Sequence, residues 1–281
     1  MKIAFHGQRG SYSEAAAAWM YADQDIATVP CDTVQQVFDA LADEQCQYGV
    51  VRVENSEWGT SFNILDLLRA TRVYFSRDIR FHERYNLAGQ KNATKGGIKR
   101  IYAHPAILNL CSTFLARQKN IELIARFDGA ENLAALVQRS DKNEATVCGD
   151  FAASIFGLKV LEPSVENSVT GVTRFVALTK AKQLPPDDAA DVRTSAMFEL
   201  KHQPGALMSA LAAFRQNEIN LTQVFARPNR TNKWDYTVFV EFPGRFDQEN
   251  IRTALAELRH HTTYLQLIGS HDSVEPRIQT T

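Results

Sequence analysis

The chain is short of the features that would place it on a nucleic acid, in a membrane or under disulfide control. It has no excess of basic charge: 31 lysines and arginines stand against 32 aspartates and glutamates. Binding to a polyanion draws on counterion release by clustered cations, so no nucleic-acid partner is expected. No Lys/Arg-rich run or basic amphipathic helix points to a membrane surface. The opening MKIAFHGQRG has no apolar run of signal-sequence length, and nothing later approaches the ~18 apolar residues of a spanning helix. Only four cysteines occur, at 31, 46, 111 and 148, with no CxxC pair. They read as reduced, mostly buried thiols of a cytoplasmic protein. No His or Cys lies at metal-ligand spacing from His104, so no metal site is expected.

What is present is an ordinary globular mixture, 44% hydrophobic and 22% charged over 281 residues. That length suggests two domains. The clearest seam is AKQLPPDDAADV, residues 181–192, which is polar, carries Pro185-Pro186 and has no periodicity; it reads as a linker.

Before the seam, strands alternate with amphipathic helices. KIAF, DIATVP and YGVVRV read as strands. Between them TVQQVFDAL sets Val34, Val37, Phe38 and Leu41 at i, i+3, i+4, i+7, one face of a helix. The rhythm repeats after residue 97: IKRIYA, IELIARF and EATVCG are strands, and PAILNLCSTFLARQ is a helix opened by Pro105. This order predicts an α/β region with parallel sheet, folded as two lobes within 1–180. The chain would cross between lobes near 74–80 and 158–172, and a small ligand would bind in the cleft. After the seam the order is β-α-β-β-α-β, a ferredoxin-like unit over 193–275 with a tail at 276–281. In its third strand Trp234, Tyr236, Val238, Val240 and Phe242 share one face.

Four polar segments sit at strand ends or helix starts. In GQRGSYS, two glycines let the backbone turn, and Ser11 and Ser13 open a helix; this is either an anion site or plain N-capping. In VRVENSEWGT, Asn55 can orient a carboxylate and Glu54 can act as acid, base or helix anchor, or the stretch is a polar turn. The tetrapeptide VENS recurs at 165–168. His104 ends a strand ahead of a proline-opened helix, where a structural hydrogen bond is the commoner role. GVTRFVAL, 171–178, reads as a buried strand carrying Thr173 and Arg174 on opposite faces. A guanidinium matches a carboxylate fork, and the bland alternative is an intramolecular salt bridge.

In order, GxxGSYSEAA, VENSxxGT, the strand-His-Pro-helix segment, TRF, PGALM and an RP…W-D-Y pattern resemble the prephenate dehydratase family with its C-terminal ACT regulatory domain, over about 1–275. The resemblance implies a two-lobed catalytic domain like periplasmic binding proteins. It implies decarboxylating dehydration of prephenate to phenylpyruvate in phenylalanine synthesis, with no cofactor. It implies a homodimer or homotetramer with an amino-acid effector at the ACT interface. On it, Arg174 would grip a substrate carboxylate and Thr173 would donate to the leaving hydroxyl, with Glu54 also catalytic. Ser11, Ser13, Asn55, Ser56, His104 and Phe175 would bind substrate. Gly205, Ala206, Leu207, Met208, Arg227 and Pro228 would bind the effector.

The chain also departs from the family pattern. Ala103-His104-Pro105-Ala106 stands for SHPQ, Arg52 replaces a proline before VENS, and Gly171 replaces an asparagine, a role that Asn167 could take. Phe225-Ala226-Arg227-Pro228 stands for ESRP, which suggests a weak response to phenylalanine, with Phe225 able to fill the effector pocket. A prephenate decarboxylase, an arogenate dehydratase and a non-catalytic amino-acid sensor remain as alternative readings.

Overall fold

The computed structural model describes residues 1–56, 59–126, 129–168, 171–228 and 235–274. Glu57-Trp58 of the VENS motif, Trp234 and the tail 276–281 lie outside the described residues, as do 169–170 of the second expected crossing.

The first lobe runs β1 (Lys2–His6), α1 (Tyr12–Met20), β2 (Ala27–Cys31), α2 (Val34–Ala42), β3 (Tyr48–Asn55), the short β4 (Gly59–Thr60), α3 (Phe62–Ala70) and β5 (Tyr74–His82). Parallel pairing joins β2, β1 and β3. The helical spacing in α2 does what it predicts: Val37, Phe38 and Leu41 are fully buried. Each such side chain contributes roughly 1.5–3 kcal/mol of transfer free energy. Thr33 caps α2 through a complete capping box with Gln36, satisfying two amides that the helix cannot.

The second lobe holds β6 (Asn86–Gly89), β7 (Arg100–Ala103), α4 (Pro105–Leu110), α5 (Ser112–Ala116), β8 (Glu122–Ala125), α6 (Gly129–Arg139), β9 (Glu144–Cys148), α7 (Asp150–Ile155) and β10 (Lys159–Glu162). Its five strands are ordered β10-β6-β9-β7-β8. The single helix expected after Pro105 is two short ones, divided at Cys111. The chain returns to the first sheet as β11 (Val172–Thr179), antiparallel to both β3 and β5.

The first crossing is corrected by this topology. Residues 74–80 are not a connection but the body of β5, whose run to His82 keeps it paired with β11 along its whole length. The passage between lobes lies at 83–85, where Tyr85 begins to pack in the second-lobe core.

Beyond the coil at 181–191 come β12 (Val192–Leu200), α8 (Ala206–Gln216), β13 (Gln223–Pro228), β14 (Tyr236–Pro243), α9 (Glu249–His260) and β15 (Tyr264–Val274). The order β13-β14-β12-β15 is that of a ferredoxin-like sheet. Val238, Val240 and Phe242 are buried under α8 and α9, whereas Tyr236 is exposed at the strand's start.

This sheet is not separate from the first. The end of β15 pairs in parallel with β5, Asp272 opposite Arg77, so the strands form one ten-stranded sheet. Gly269 makes the bend possible. Its φ is +133°, the register with β12 slips beside it, and a Cβ there would sit 2.8 Å from the Phe75 carbonyl oxygen. Gly269→Ala is expected to lower unfolding free energy by about 2–4 kcal/mol in urea titration, through strain and the β5 clash.

Candidate active site

Between the lobes lies a cleft of ≈ 280 Å³. The first lobe contributes Asn55 from the end of β3 and Glu83 from the crossing; α4 and α5 contribute Asn109 and Ser112. The returning segment contributes Glu166, Asn167, Ser168 and Gly171. Among the described residues, none that line the cleft is a lysine or an arginine.

At the first-lobe end of this cleft Thr173 stands opposite Asn55 in the β11–β3 register. The Asn55 amide Nδ2 donates to Thr173 Oγ1 at 2.8 Å, and the hydroxyl is fully buried. A hydroxyl that accepts from an amide keeps its own proton to donate. Ser56 completes the corner: its Oγ accepts from the Val172 amide and its own amide donates to the Val172 carbonyl, both at 2.9 Å. On the same sheet face Arg52 Nη2 pairs with Glu83 Oε1 at 2.6 Å, and its guanidinium lies 5.5 Å from the Phe175 ring centroid. His6 ends β1 nearby. Burial, then the Arg52 charge, push its imidazole pKa down.

The start of α1 resolves the choice between capping and anion binding toward capping. Ser11 Oγ accepts from the Glu14 amide, Glu14 Oε2 accepts from the Gly10 amide at 2.6 Å, and Ser13 is buried in the first turn. Glu14 therefore holds the donor that an anion would use, and the turn is fixed as a wall. His104 is the N-cap of α4, its Nδ1 accepting from the Ala106 amide at 3.2 Å, and it is not among the cleft-lining residues. Asn167 joins the return segment to the second lobe, accepting from the Thr113 amide at 2.8 Å and donating to Ser112 Oγ at 2.9 Å.

Three expected ligands face elsewhere. Arg174 does not reach the cleft. Alternation along β11 turns it to the opposite face from Thr173, where it is 3% exposed. Its Nε donates to Asp78 at 2.5 Å, its Nη2 to Glu241 at 2.7 Å, and its Nη1 to Gln223 at 3.2 Å. Burial, the largest single effect, would raise the Asp78 and Glu241 carboxyls, but Arg174 together with His271, and for Asp78 also Arg80, outweighs it and both lie below their ordinary range. Glu54 shares that face and accepts from Gln223 Nε2 at 2.6 Å, so it is anchored to the C-terminal sheet rather than placed for acid–base work. Phe175 is fully buried and stacked on Phe81, a core residue with no ligand-facing surface.

The expected effector residues do not converge within one chain. Gly205, in a left-handed conformation, caps α8, and Leu207 and Met208 lie exposed on that helix. Phe225 packs on the other side of the sheet against the first-lobe core and stacks on Phe239; Arg227 pairs with Asp66 of α3 at 3.0 Å. Pro228 ends β13. The four cysteines are buried and unbonded, and burial pushes the Cys111 and Cys148 thiols up to about 12. Among the described residues, no group of three or more His, Cys, Asp or Glu could hold a metal ion, and no helix is long and apolar enough to cross a membrane.

Residues 3–183 match the family model described as prephenate dehydratase. The chain belongs to the prephenate dehydratase family. Its members are lyases, and this dehydratase is 28% identical over 281 residues to the "Arogenate dehydratase/prephenate dehydratase 2, chloroplastic" of Arabidopsis thaliana, matching 96% of this chain and 72% of the relative. Two solved structures share its fold. One, titled as GqqA, a novel type of quorum quenching acylase, superposes with a TM-score of 0.82 at 24% identity, over 97% of this chain and 98% of that one. The other is a prephenate dehydratase of Arthrobacter aurescens in complex with L-Phe, with a TM-score of 0.81 at 24% identity, over 97% and 90%.

Several cleft residues of this dehydratase escaped the sequence reading. Glu83, Tyr85, Asn109 and Ser112 carry no local motif, because the crossing and the division of α4 from α5 bring them to the cleft. Glu166 had a signal, the repeated VENS, but two short matches can arise by chance. Arg52 was visible as a departure, yet its place beside Glu83 depends on the sheet.

Proposed function

We propose that the protein is a prephenate dehydratase in which the Asn55–Thr173 pair forms the reacting end of the inter-lobe cleft. The observation that carries this reading is the hydrogen bond from the Asn55 amide to the buried Thr173 hydroxyl beside the cleft-lining Gly171. In the reaction the ring carboxylate leaves as carbon dioxide, the electron pair of the broken C–C bond enters the ring, and the ring hydroxyl leaves as hydroxide, which takes a proton from solvent to become water. Thr173 donates to the departing oxygen. Aromatisation supplies the driving force, so positioning and a directed donor are the main demands on the site. With Arg174 turned away, the carboxylate partner nearest the cleft is Arg52, released toward substrate from Glu83, together with the amides of Asn55 and Asn109. No cofactor takes part. The C-terminal unit is an ACT-type regulatory domain that pairs chains into a homodimer or homotetramer in the cytoplasm. Its engaged Phe225 and Arg227 leave phenylalanine little to bind.

The test is direct. Purified protein incubated with prephenate should yield phenylpyruvate, followed as its enolate in base. Another product from prephenate would indicate the decarboxylase, and unconsumed prephenate would remove the reading.

A second substrate is favoured by one observation. Glu166 Oε2 accepts from the Tyr85 amide at 2.9 Å, while its Oε1 is buried without a hydrogen-bond partner among the described residues. An unpaired buried carboxylate oxygen is costly, and the ammonium of arogenate would supply the missing donor. Glu166→Gln is expected to cut kcat/KM for arogenate by about 10–100-fold, a charge-assisted hydrogen bond, with prephenate turnover nearly unchanged. Equal losses on both substrates would deny Glu166 that role.

A further inference from the structure

The cleft end of β3 and β11 is held from behind. Asn55 lines the cleft, with Thr173 buried behind its amide on the same face, and their neighbours Glu54 and Arg174 face the C-terminal sheet, paired with each other in register. Main-chain pairing is irregular at this point, because the register slips between Arg174 and Phe175. A slipped ladder fixes local geometry less firmly than a regular one. Side chains from three strands of the C-terminal sheet complete the work. Glu241 of β14 accepts from Arg174 at 2.7 Å, and His271 of β15 lies 2.9 Å from the same guanidinium nitrogen. Gln223 of β13 is the bridging group: its amide nitrogen donates to Glu54 at 2.6 Å and its amide oxygen accepts from Arg174 at 3.2 Å. One side chain thus clips two adjacent strands, each one residue from a proposed reacting group.

We propose that Gln223 is a positioning residue for the reaction, setting the spacing of Asn55 and Thr173 from the far face of the sheet and making the C-terminal domain part of the catalytic machinery. The inference rests on the proposed role of the Asn55–Thr173 pair. It also gives a route by which any change in the C-terminal sheet reads out as turnover without touching substrate.

The experiment uses the full chain, with prephenate or arogenate, whichever is turned over. Gln223→Met keeps the shape and removes both hydrogen bonds. Its kcat is expected to fall about tenfold with KM within about twofold, since small displacements of reacting groups weigh on turnover; the two lost hydrogen bonds also lower the thermal midpoint, so turnover is compared where denaturation curves show the variant folded. Gln223→Glu sets two carboxylates together and should fall at least as far. The exchanged pair, Gln223→Glu with Glu54→Gln, rebuilds the bond with donor and acceptor reversed and should recover kcat to within about threefold. A merely structural contact would not give a loss confined to kcat and reversed by that exchange. Full turnover by Gln223→Met beside an inactive Thr173→Ala would overturn the inference alone. Full turnover by Thr173→Ala would overturn the reading of the site and the inference with it.

Discussion

Thr173→Ala is expected to lower kcat by about 10²–10³-fold, the range seen when a donor to developing negative charge is removed. The departing oxygen leaves as hydroxide unless a proton or hydrogen bond meets it. Thr173 is the hydroxyl whose orientation is set by a protein amide, Asn55 Nδ2 at 2.8 Å. Thr173→Ser keeps the oxygen and should stay within about tenfold of the parent, because only the methyl that fixes its rotamer is lost. The alanine variant also leaves the Asn55 amide without its acceptor, which costs about 1–3 kcal/mol of stability. Turnover is therefore compared at a temperature where denaturation curves show both variants folded. An alanine variant with parental kcat would remove Thr173 from the chemistry and leave the Asn55 pair a structural contact.

The sequence resolved what depends on local periodicity and failed where distant strands decide. Val37, Phe38 and Leu41 are buried as their spacing requires, and the β-α-β-β-α-β order of the C-terminal unit is observed. The end of the third strand was legible as polar chemistry, and Asn55 does line the cleft. Alternation also placed Thr173 and Arg174 on opposite faces. It could not say which face was the cleft, because that depends on α1 covering one side and the C-terminal sheet the other. The pairing of β15 with β5 leaves no mark in either strand beyond Gly269, so the two sheets read as separate. Arg174 was consequently assigned to a substrate anion when its anions come from Asp78, 96 residues earlier, and from Glu241. The same blindness hid Gln223, an ordinary glutamine until the sheet brings it between Glu54 and Arg174.

Arg174→Met should cost about 3–5 kcal/mol of unfolding free energy at pH 7, the usual effect of stripping one partner from a buried ion cluster. Asp78 and Glu241 are both fully buried, and without the guanidinium two carboxylates are left with only Arg80, and for Glu241 also Arg193, at the edge of the cluster. The sign of the pH dependence follows from their carboxyls, which burial would raise but the surrounding charges, Arg174 first among them, hold below the ordinary range. A depressed acid adds stability above its unfolded pKa, and that stability is lost as pH falls through the folded value. Arg174→Met removes this contribution, and its carboxyls should instead titrate upward. The gap between parent and variant is thus widest near neutrality and closes as pH drops below ~4, where carboxylates protonate in either protein. His271 adds a separate loss common to acid conditions. Burial lowers its pKa from 6.5 to about 4, so folding disfavours its protonation and stability declines as pH falls between those values. Urea titrations at pH 7 and pH 4 check both statements. A pH-independent gap, or a variant as stable as the parent at neutrality, would show that the cluster is held together by packing alone, and that Arg174 is dispensable to the union of the two sheets.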